Sequence, residues 1–428
     1  MRKIGLQLRL VVPGKQNACP VRSHPTLPPL TTLDLFCGAG GITEGFRHAG
    51  YHCLYGNDCM QEAINTFSLN HPDAWAEACD IEAVDPAIIR KRLSLPKGGL
   101  DVLVGGPPCQ GFSVNAPERF LDDPRNKLFT DYLRFLDEFE PKAFLFENVP
   151  GLLSLADGKI FRRILSEFER HGYCVTPKIL FAAHYGVPQE RWRLILLGSR
   201  LGPITPPEPT HYATGRANFR GGSTMIFQLS SKHHHALRPA ITVYEAIGDL
   251  PRLEMGEGAE EVGYTTVPCS EYAAQMRNSE GITFNHYAAK LAKQNLERMK
   301  YVKPGGSWRD IPHELLPKGM QRARKSDHTK RYGRLRNDGL ASTVMTKCDP
   351  HWGTVLLPDQ DRSLTVREAA RFQSFPDTYR FVGSRVSQYE QVGNAVPVLL
   401  AKAIAAQMRM HLEEHGAVPH GVPEAAHG

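Results

Sequence analysis

The segment Gly105-Gly106-Pro107-Pro108-Cys109-Gln110-Gly111-Phe112-Ser113 follows a short apolar run, Asp101 to Val104. Two prolines stiffen it and glycines flank them, which makes a poor core strand and a good display loop. The loop presents one thiol, Cys109. A lone cysteine is more often a small buried hydrophobe. On such a loop it reads as a nucleophile for covalent catalysis, which requires a thiol that can be deprotonated and an acid to act with it. Phe144-Leu145-Phe146-Glu147-Asn148-Val149 is an apolar strand running into a carboxylate, Glu147. A carboxylate is rarely buried without a partner. Gln189-Glu190-Arg191-Trp192-Arg193 precedes the strand Leu194 to Leu197, and strand alternation points Arg191 and Arg193 to one face. Two guanidiniums there can hold a carbonyl oxygen and a phosphate, and can pair with Glu147. Taken singly, each of these charged groups reads equally as a strand-end salt bridge or as surface charge.

A second cluster can bind a ligand. Asp34-Leu35-Phe36-Cys37-Gly38-Ala39-Gly40-Gly41 joins a strand, Thr32 to Phe36, to a helix marked by Ile42, Gly45, Phe46 and Ala49. Such a turn lies at the carboxyl end of its strand, where open sheets bind ligands. About twenty residues on, Asp58 ends the next strand and can accept from both hydroxyls of a ribose. The spacing of Gly38, Gly40 and Gly41 is not G-x-G-x-x-G and suits an adenosyl group without a pyrophosphate. Asp80-Ile81 falls at a third strand end, where a carboxylate can accept from an adenine amino group. A tight turn with no ligand is the plainer alternative.

Short apolar strands alternate with helices up to Gly198, which predicts an α/β, doubly wound parallel sheet. Residues 1–30 are Pro-rich and read as a loose arm. Residues 201–236 are rich in Pro, Gly, Ser and His, and the chain stays turn-rich to about residue 350. Helical spacing returns in Leu364 to Phe372 and in Val396 to His411. His233-His234-His235 lacks further ligands at useful spacing, so it reads as loop and no metal site is expected.

The 428 residues suffice for two domains. No apolar run approaches the roughly 18 residues of a membrane span, and the first residues do not read as a secretion signal, so a cytoplasmic protein is expected. Nine cysteines occur as singletons without C-x-x-C pairs, which fits a reducing compartment. The net charge is only +6, but Arg298 to Lys347 carries 13 Lys/Arg against 4 Asp/Glu. That is the footprint of phosphate contacts or of a solvated surface.

The ordered set D-L-F-C-G-A-G-G, N-D, D-I, G-G-P-P-C-Q-G-F-S, E-N-V and Q-E-R-W-R resembles the DNA cytosine-5 methyltransferases of bacterial type. Arg362 to Arg371 with Phe375-Pro376-Asp377, and Gln391-Val392-Gly393-Asn394-Ala395-Val396-Pro397, extend the likeness. It spans roughly residues 31 to 200 and 362 to 412. The resemblance implies a Rossmann-like domain that binds S-adenosyl-L-methionine, over 31–200 and completed by 386–412. It implies a smaller mixed target-recognition domain over 201–385, with 413–428 a frayed tail. It makes Cys109 the nucleophile, Glu147 the ring acid and Arg193 an orienter of the base, with Arg191 nearby. Phe36, Gly38, Gly40, Asp58, Asp80, Ile81, Pro107 and Asn394 would line the cofactor pocket. Cys59 departs from the bulky residue that often follows the Asp58-type acid, so packing on adenine would fall to Ile81. The segment Arg362 to Asp377 is read as scaffold.

The implied reaction is methylation of carbon 5 of a flipped cytosine in a specific duplex DNA sequence. Cytosine carbon 5 is a weak nucleophile, and addition of the Cys109 thiolate at carbon 6 turns the ring into an enamine. A protonated Glu147 would bond ring nitrogen 3, and extrusion of the base is needed because the ring is inaccessible inside the stack. Arg119 to Asn126 resembles the family's mobile loop, where Ser113 and Arg125 could touch phosphate. Ala341-Ser342-Thr343-Val344 resembles an element that supports the extruded nucleotide through Thr343. The expected partner is double-stranded DNA. Further expectations are a monomer near the bacterial nucleoid, and a cognate restriction endonuclease that shares the site without a stable complex. An RNA methyltransferase of this architecture usually carries Cys-Phe-Thr between the Pro-Cys and Glu-Asn-Val motifs, but no cysteine lies between Cys109 and Glu147. A nucleotide-dependent oxidoreductase would leave Pro-Pro-Cys unexplained, and a catalytically silent DNA-binding protein would leave Cys109 and Glu147 unexplained.

Overall fold

The structure is a computed structural model that describes residues 29–108, 127–217, 219–227, 229, 235–324, 326–327 and 330–416. Its centre is a seven-stranded sheet. In chain order the first half runs β1 (Leu30–Leu35), α1 (Gly41–Arg47), β2 (Tyr51–Asp58), α2 (Gln61–Asn70), β3 (Trp75–Ala78), α3 (Pro86–Arg92), β4 (Val102–Gly105) and α4 (Lys127–Phe139). It continues with β5 (Ala143–Asn148), α5 (Lys159–Arg170), β6 (Cys174–Phe181), β7 (Gln189–Glu190) and β8 (Trp192–Ser199). The sheet order is β3-β2-β1-β4-β5-β8-β6.

Strand alternation sorts the apolar side chains onto two faces. Leu103, Phe144, Phe146, Leu194 and Leu196 join one core with α4 and α5. Val102, Val104, Leu145, Ile195 and Leu197 join the other with α1 and the C-terminal helix. Strands buried on both faces read as continuous apolar runs, as β4 and β5 do. On the first face Phe129, Tyr132, Phe146 and Phe168 meet edge to face, with Tyr132 and Phe146 centroids 5.4 Å apart. Each such pair adds about 0.5–1.5 kcal/mol beyond its buried area.

The sheet is mostly parallel, as the doubly wound α/β reading expects, and departs from it at one strand. β8 runs antiparallel to both β5 and β6. The link from β6 to β8 spans residues 182–191, too short for the dozen or more residues that a parallel crossover needs. This reversal brings the first residues of β8 to the edge where β1, β2, β4 and β5 end.

The chain's far end returns to its beginning. The helix Val398–Glu414 buries Leu400, Ala401, Ile404, Met408 and Leu412, and packs them with Ile42 and Phe46 of α1. A Cβ at Gly41 would come 2.5 Å from the Val396 carbonyl oxygen, so only glycine admits this approach.

Between these parts lie short elements around separate apolar clusters, one of Val243, Tyr272, Leu335 and Phe372, another of Val302, Trp308, Met320 and Tyr332. The segment Arg362 to Asp377 is held by buried ion pairs: Arg362 to Glu368 at 2.7 Å, Arg371 to Asp377 at 2.6 Å and Arg371 to Asp249 at 3.1 Å. The basic segment divides. Arg334 is buried on the carbonyls of Met299, Val302 and Leu357, and Arg298 donates to the Leu315 carbonyl, so those two cations serve folding. Among the described residues, no helix is long and apolar enough to cross a membrane.

Candidate active site

The carboxyl edge of the sheet gathers the functional side chains. Glu147, near the end of β5, forms an ion pair with Arg193 Nε at 2.5 Å, and both side chains are largely buried (13% and 12% exposed). Register explains the meeting, because Asn148 pairs with Leu194 and Glu147 with Ile195, which leaves Arg193 of β8 just beyond the end of β5. Gly106 closes the other side: a Cβ there would lie 2.9 Å from Glu147 Oε2. Asn148 Nδ2 donates to the Pro107 carbonyl at 3.0 Å, so β5 also fixes the backbone that leads to Cys109. Cys109, Ser113 and Arg125 themselves lie outside the described residues.

Arg191 corrects the expectation of two arginines on one face. It sits between β7 and β8, where alternation is interrupted, and is 2% exposed. Its Nη2 donates to the carbonyls of Gly393 and Ala395 at 2.9 and 3.0 Å, and its Nη1 to that of Val344 at 3.4 Å. Burial lowers its pKa well below the usual arginine value. Arg191 is a clamp between chain segments, and Arg193 alone makes the ion pair with Glu147.

The Gly-rich turn forms the second neighbourhood. Phe36 and Gly38 have positive φ, 58° and 52°, which costs phenylalanine more than glycine. Asp58 Oδ2 accepts from the Gly38 backbone N–H at 3.0 Å, and its Oδ1 from Met60 N–H at 2.9 Å. Burial raises the Asp58 pKa against those two bonds. A Cβ at Gly38 would meet no atom within 4 Å, so space lies above the turn's backbone. Gly40 is more enclosed, with Tyr379 Oη and His71 Nε2 against it. Asp80 caps a short 3-10 turn through Glu82 N–H at 3.0 Å. Ile81 is 3% exposed and packed in the core, while Cys59 beside Asp58 is exposed. Asn394 is exposed at the end of the helix Arg385–Asn394, and Ala395 and Val396 after it abut Gly41.

An open cleft of about 740 Å³ adjoins Arg193. Thr343 lines it and donates to the Glu190 carbonyl at 2.5 Å, while Ala341 and Ser342 pair with Gln189 and Glu190. Arg216, Arg220 and Lys330 also line it. Sequence reasoning missed these three as a group. Lys330 belongs to the basic segment, but Arg216 and Arg220 lie in the Gly-rich stretch far from it in sequence, and only folding brings them together. Among the described residues, no group of three or more His, Cys, Asp or Glu could hold a metal ion.

The family model described as C-5 cytosine-specific DNA methylase matches residues 30–410. The chain belongs to that family. This methylase is 36% identical to the type II methyltransferase M.AgeI of Thalassovita gelatinovora, over 89% of this chain and 99% of the relative. It is also 36% identical to the type II methyltransferase M1.HphI of Haemophilus parahaemolyticus, over 90% and 88%. Among solved structures it is similar to a DNA modification methyltransferase encoded within an E. coli prophage, with a TM-score of 0.66 and 23% identity over 90% of this chain and 99% of that one. That likeness supports the fold alone. Membership makes the chain a DNA cytosine-5 methyltransferase with a Rossmann-like fold, and does not favour the RNA-directed alternative.

Proposed function

We propose that the methylase extrudes a cytosine from a specific duplex DNA sequence into the basic cleft and methylates it with S-adenosyl-L-methionine as donor. The observation that carries this reading is the buried Glu147–Arg193 pair at the cleft, beside the Gly106-Pro107 backbone that leads to Cys109. Arg193, held by Glu147, is placed to orient the cytosine carbonyl oxygen, and Glu147 to share a proton with ring nitrogen 3 once the base has entered beside it. The Cys109 thiolate adds at carbon 6, forming a carbon–sulfur bond and moving electrons to carbon 5. After methylation, loss of the carbon 5 proton expels the thiolate and restores the ring. Thr343 would support the extruded nucleotide, and Ser113 and Arg125 would contact phosphate.

The turn's residues fit an adenosyl donor: Asp58 for the ribose hydroxyls, Gly38 and Phe36 along its backbone, Asp80 for the adenine amino group, with Gly40, Ile81, Pro107 and Asn394 completing the pocket. The open space above Gly38 and the half-buried carboxylate of Asp58 support that fit. When bound, S-adenosyl-L-methionine supplies an electrophilic methyl group on a sulfonium. The catalytic unit would be 31–200 with 386–412, and 201–385 would recognise the DNA. Relatives named type II methyltransferases favour a role in restriction-modification. The protein would act as a monomer in the cytoplasm near the nucleoid. A cognate endonuclease would share the site without a stable complex. Methyl transfer to duplex DNA and to tRNA, measured side by side, tests the substrate. Transfer to tRNA alone overturns the proposal, and bisulfite sequencing of DNA from expressing cells gives the site.

A further inference from the structure

A rigid aromatic turn stands next to the cleft. Lys330 lines the cleft and approaches Glu190 at 3.7 Å. The next residue, Arg331, places its guanidinium carbon 5.1 Å from the ring centroid of Trp352, and its Nη1 lies 3.2 Å from His351 Nε2. His351 meets Trp352 edge-on at 5.1 Å, and Tyr332, which is buried in the core beneath, at 5.9 Å. Asp349 fixes the turn, its carboxylate accepting from His351 N–H at 2.7 Å and its carbonyl from Trp352 N–H at 2.9 Å. Tyr332 N–H donates to the Pro350 carbonyl. Two rings, Tyr332 and His351, thus lead outward from the core to an indole that remains 54% exposed.

An indole held this firmly yet left in water suits a flat apolar partner, and the Lys330–Arg331 pair beside it suits an anionic one. A nucleobase on a phosphate backbone is both. Aromatic rings beside a basic groove stack on bases whatever their identity, since every base offers a π-face, and apolar side chains fill gaps where a duplex is unstacked. We propose that Trp352 stacks on a nucleobase that loses its neighbour when the target cytosine leaves the duplex, and so stabilises the opened DNA. This rests on the reading of the cleft as the place of the extruded base. Trp352 is here a positioning residue, remote from the reacting atoms.

The test uses full-length protein and a duplex carrying the site mapped by bisulfite sequencing. Trp352→Ala should slow single-turnover methylation about tenfold or more, and Trp352→Phe should restore most of the rate. The loss should shrink on a duplex with an abasic position opposite the target, where opening is already favoured. Tryptophan fluorescence should be quenched by duplex DNA in the natural protein, and less so in Trp352→Phe. An unchanged rate in Trp352→Ala overturns the proposal, as does an equal loss on both duplexes, which marks a merely structural role. If the natural protein methylates no duplex DNA, it is the functional reading that fails.

Discussion

Glu147 and Arg193 are joined through Nε at 2.5 Å, across the antiparallel junction between β5 and β8. The geometry makes each residue depend on the other. A largely buried carboxylate that loses its cation is left uncompensated, and removing one partner of a buried pair typically costs about 3–5 kcal/mol. Arg193→Ala should therefore lower kcat about 100-fold or more. Glu147→Gln keeps the shape but neither the charge nor the proton donor, and should reduce kcat comparably with a smaller drop in thermal midpoint than Arg193→Ala, because the amide oxygen can still face the guanidinium. Steady-state methyl transfer and thermal melting separate the two, and a Glu147→Gln enzyme with normal turnover would remove Glu147 from the chemistry.

Gly106 offers a subtler probe of the same group. The methyl of Gly106→Ala would sit 2.9 Å from Glu147 Oε2, inside ordinary contact distance, so either the carboxylate or the loop must shift. Displacements well under 1 Å at reacting groups cost about tenfold or more in rate. The expected result is a lower kcat with donor binding unchanged, read by turnover assays and by calorimetric titration with S-adenosyl-L-methionine.

Arg191 should behave differently from Arg193. Its bonds to the Gly393, Ala395 and Val344 carbonyls tie together three distant stretches of chain. Hydrogen bonds from a charged group contribute about 1.5–3 kcal/mol each. Arg191→Met should lower stability by roughly 3 kcal/mol or more and weaken donor binding, because Asn394 and Ala395 lose their anchor beside Gly41. Urea unfolding with and without the donor measures both. An unaltered midpoint would show that the clamp is dispensable.

Much of this was legible in the residues. The apolar strands, the Gly-rich turn with Asp58, and the pairing of an arginine with Glu147 follow from local pattern. Which arginine pairs did not, because alternation assumes an unbroken strand and the chain breaks at Arg191. The antiparallel β8 was hidden for a related reason, since β6 and β8 are apolar runs like any other and only the length of their link excludes a crossover. The basic segment misled in part. Charge counts cannot distinguish Arg334, buried on carbonyls, from Lys330, which lines the cleft. Arg216, Arg220 and the Trp352 turn are assembled by long-range folding and leave no local pattern.

Cys109 carries the covalent step in the proposed mechanism, so its removal should separate binding from chemistry. Cys109→Ala should abolish methylation while donor and DNA affinity stay near normal, as the covalent bond forms only after both are bound. Denaturing electrophoresis after incubation with DNA carrying 5-fluorocytosine at the target should trap a protein–DNA adduct with the natural enzyme and none with the variant. Turnover by Cys109→Ala within tenfold of the natural rate would refute the covalent route.

The last prediction concerns Asp34, at the centre of the sheet. It is fully buried and accepts from Thr43 Oγ1 at 2.6 Å, while its Oδ1 has no hydrogen-bond partner among the described residues. Burial raises its pKa to about 7. The folded protein therefore holds a proton that the unfolded chain releases near the ordinary carboxyl range. The stability so contributed is full below that range and is lost as pH rises toward 7. His71 works with the opposite sign, since burial lowers its pKa to about 4, so folded protein binds fewer protons there than the unfolded chain. The two overlap, and only a difference between variants isolates Asp34. Asp34→Asn, which cannot titrate, should lose less stability than the natural protein between about pH 5 and about pH 8. Thermal midpoints across that interval give the comparison, and parallel curves for the two proteins would show that Asp34 stays ionised in the folded state.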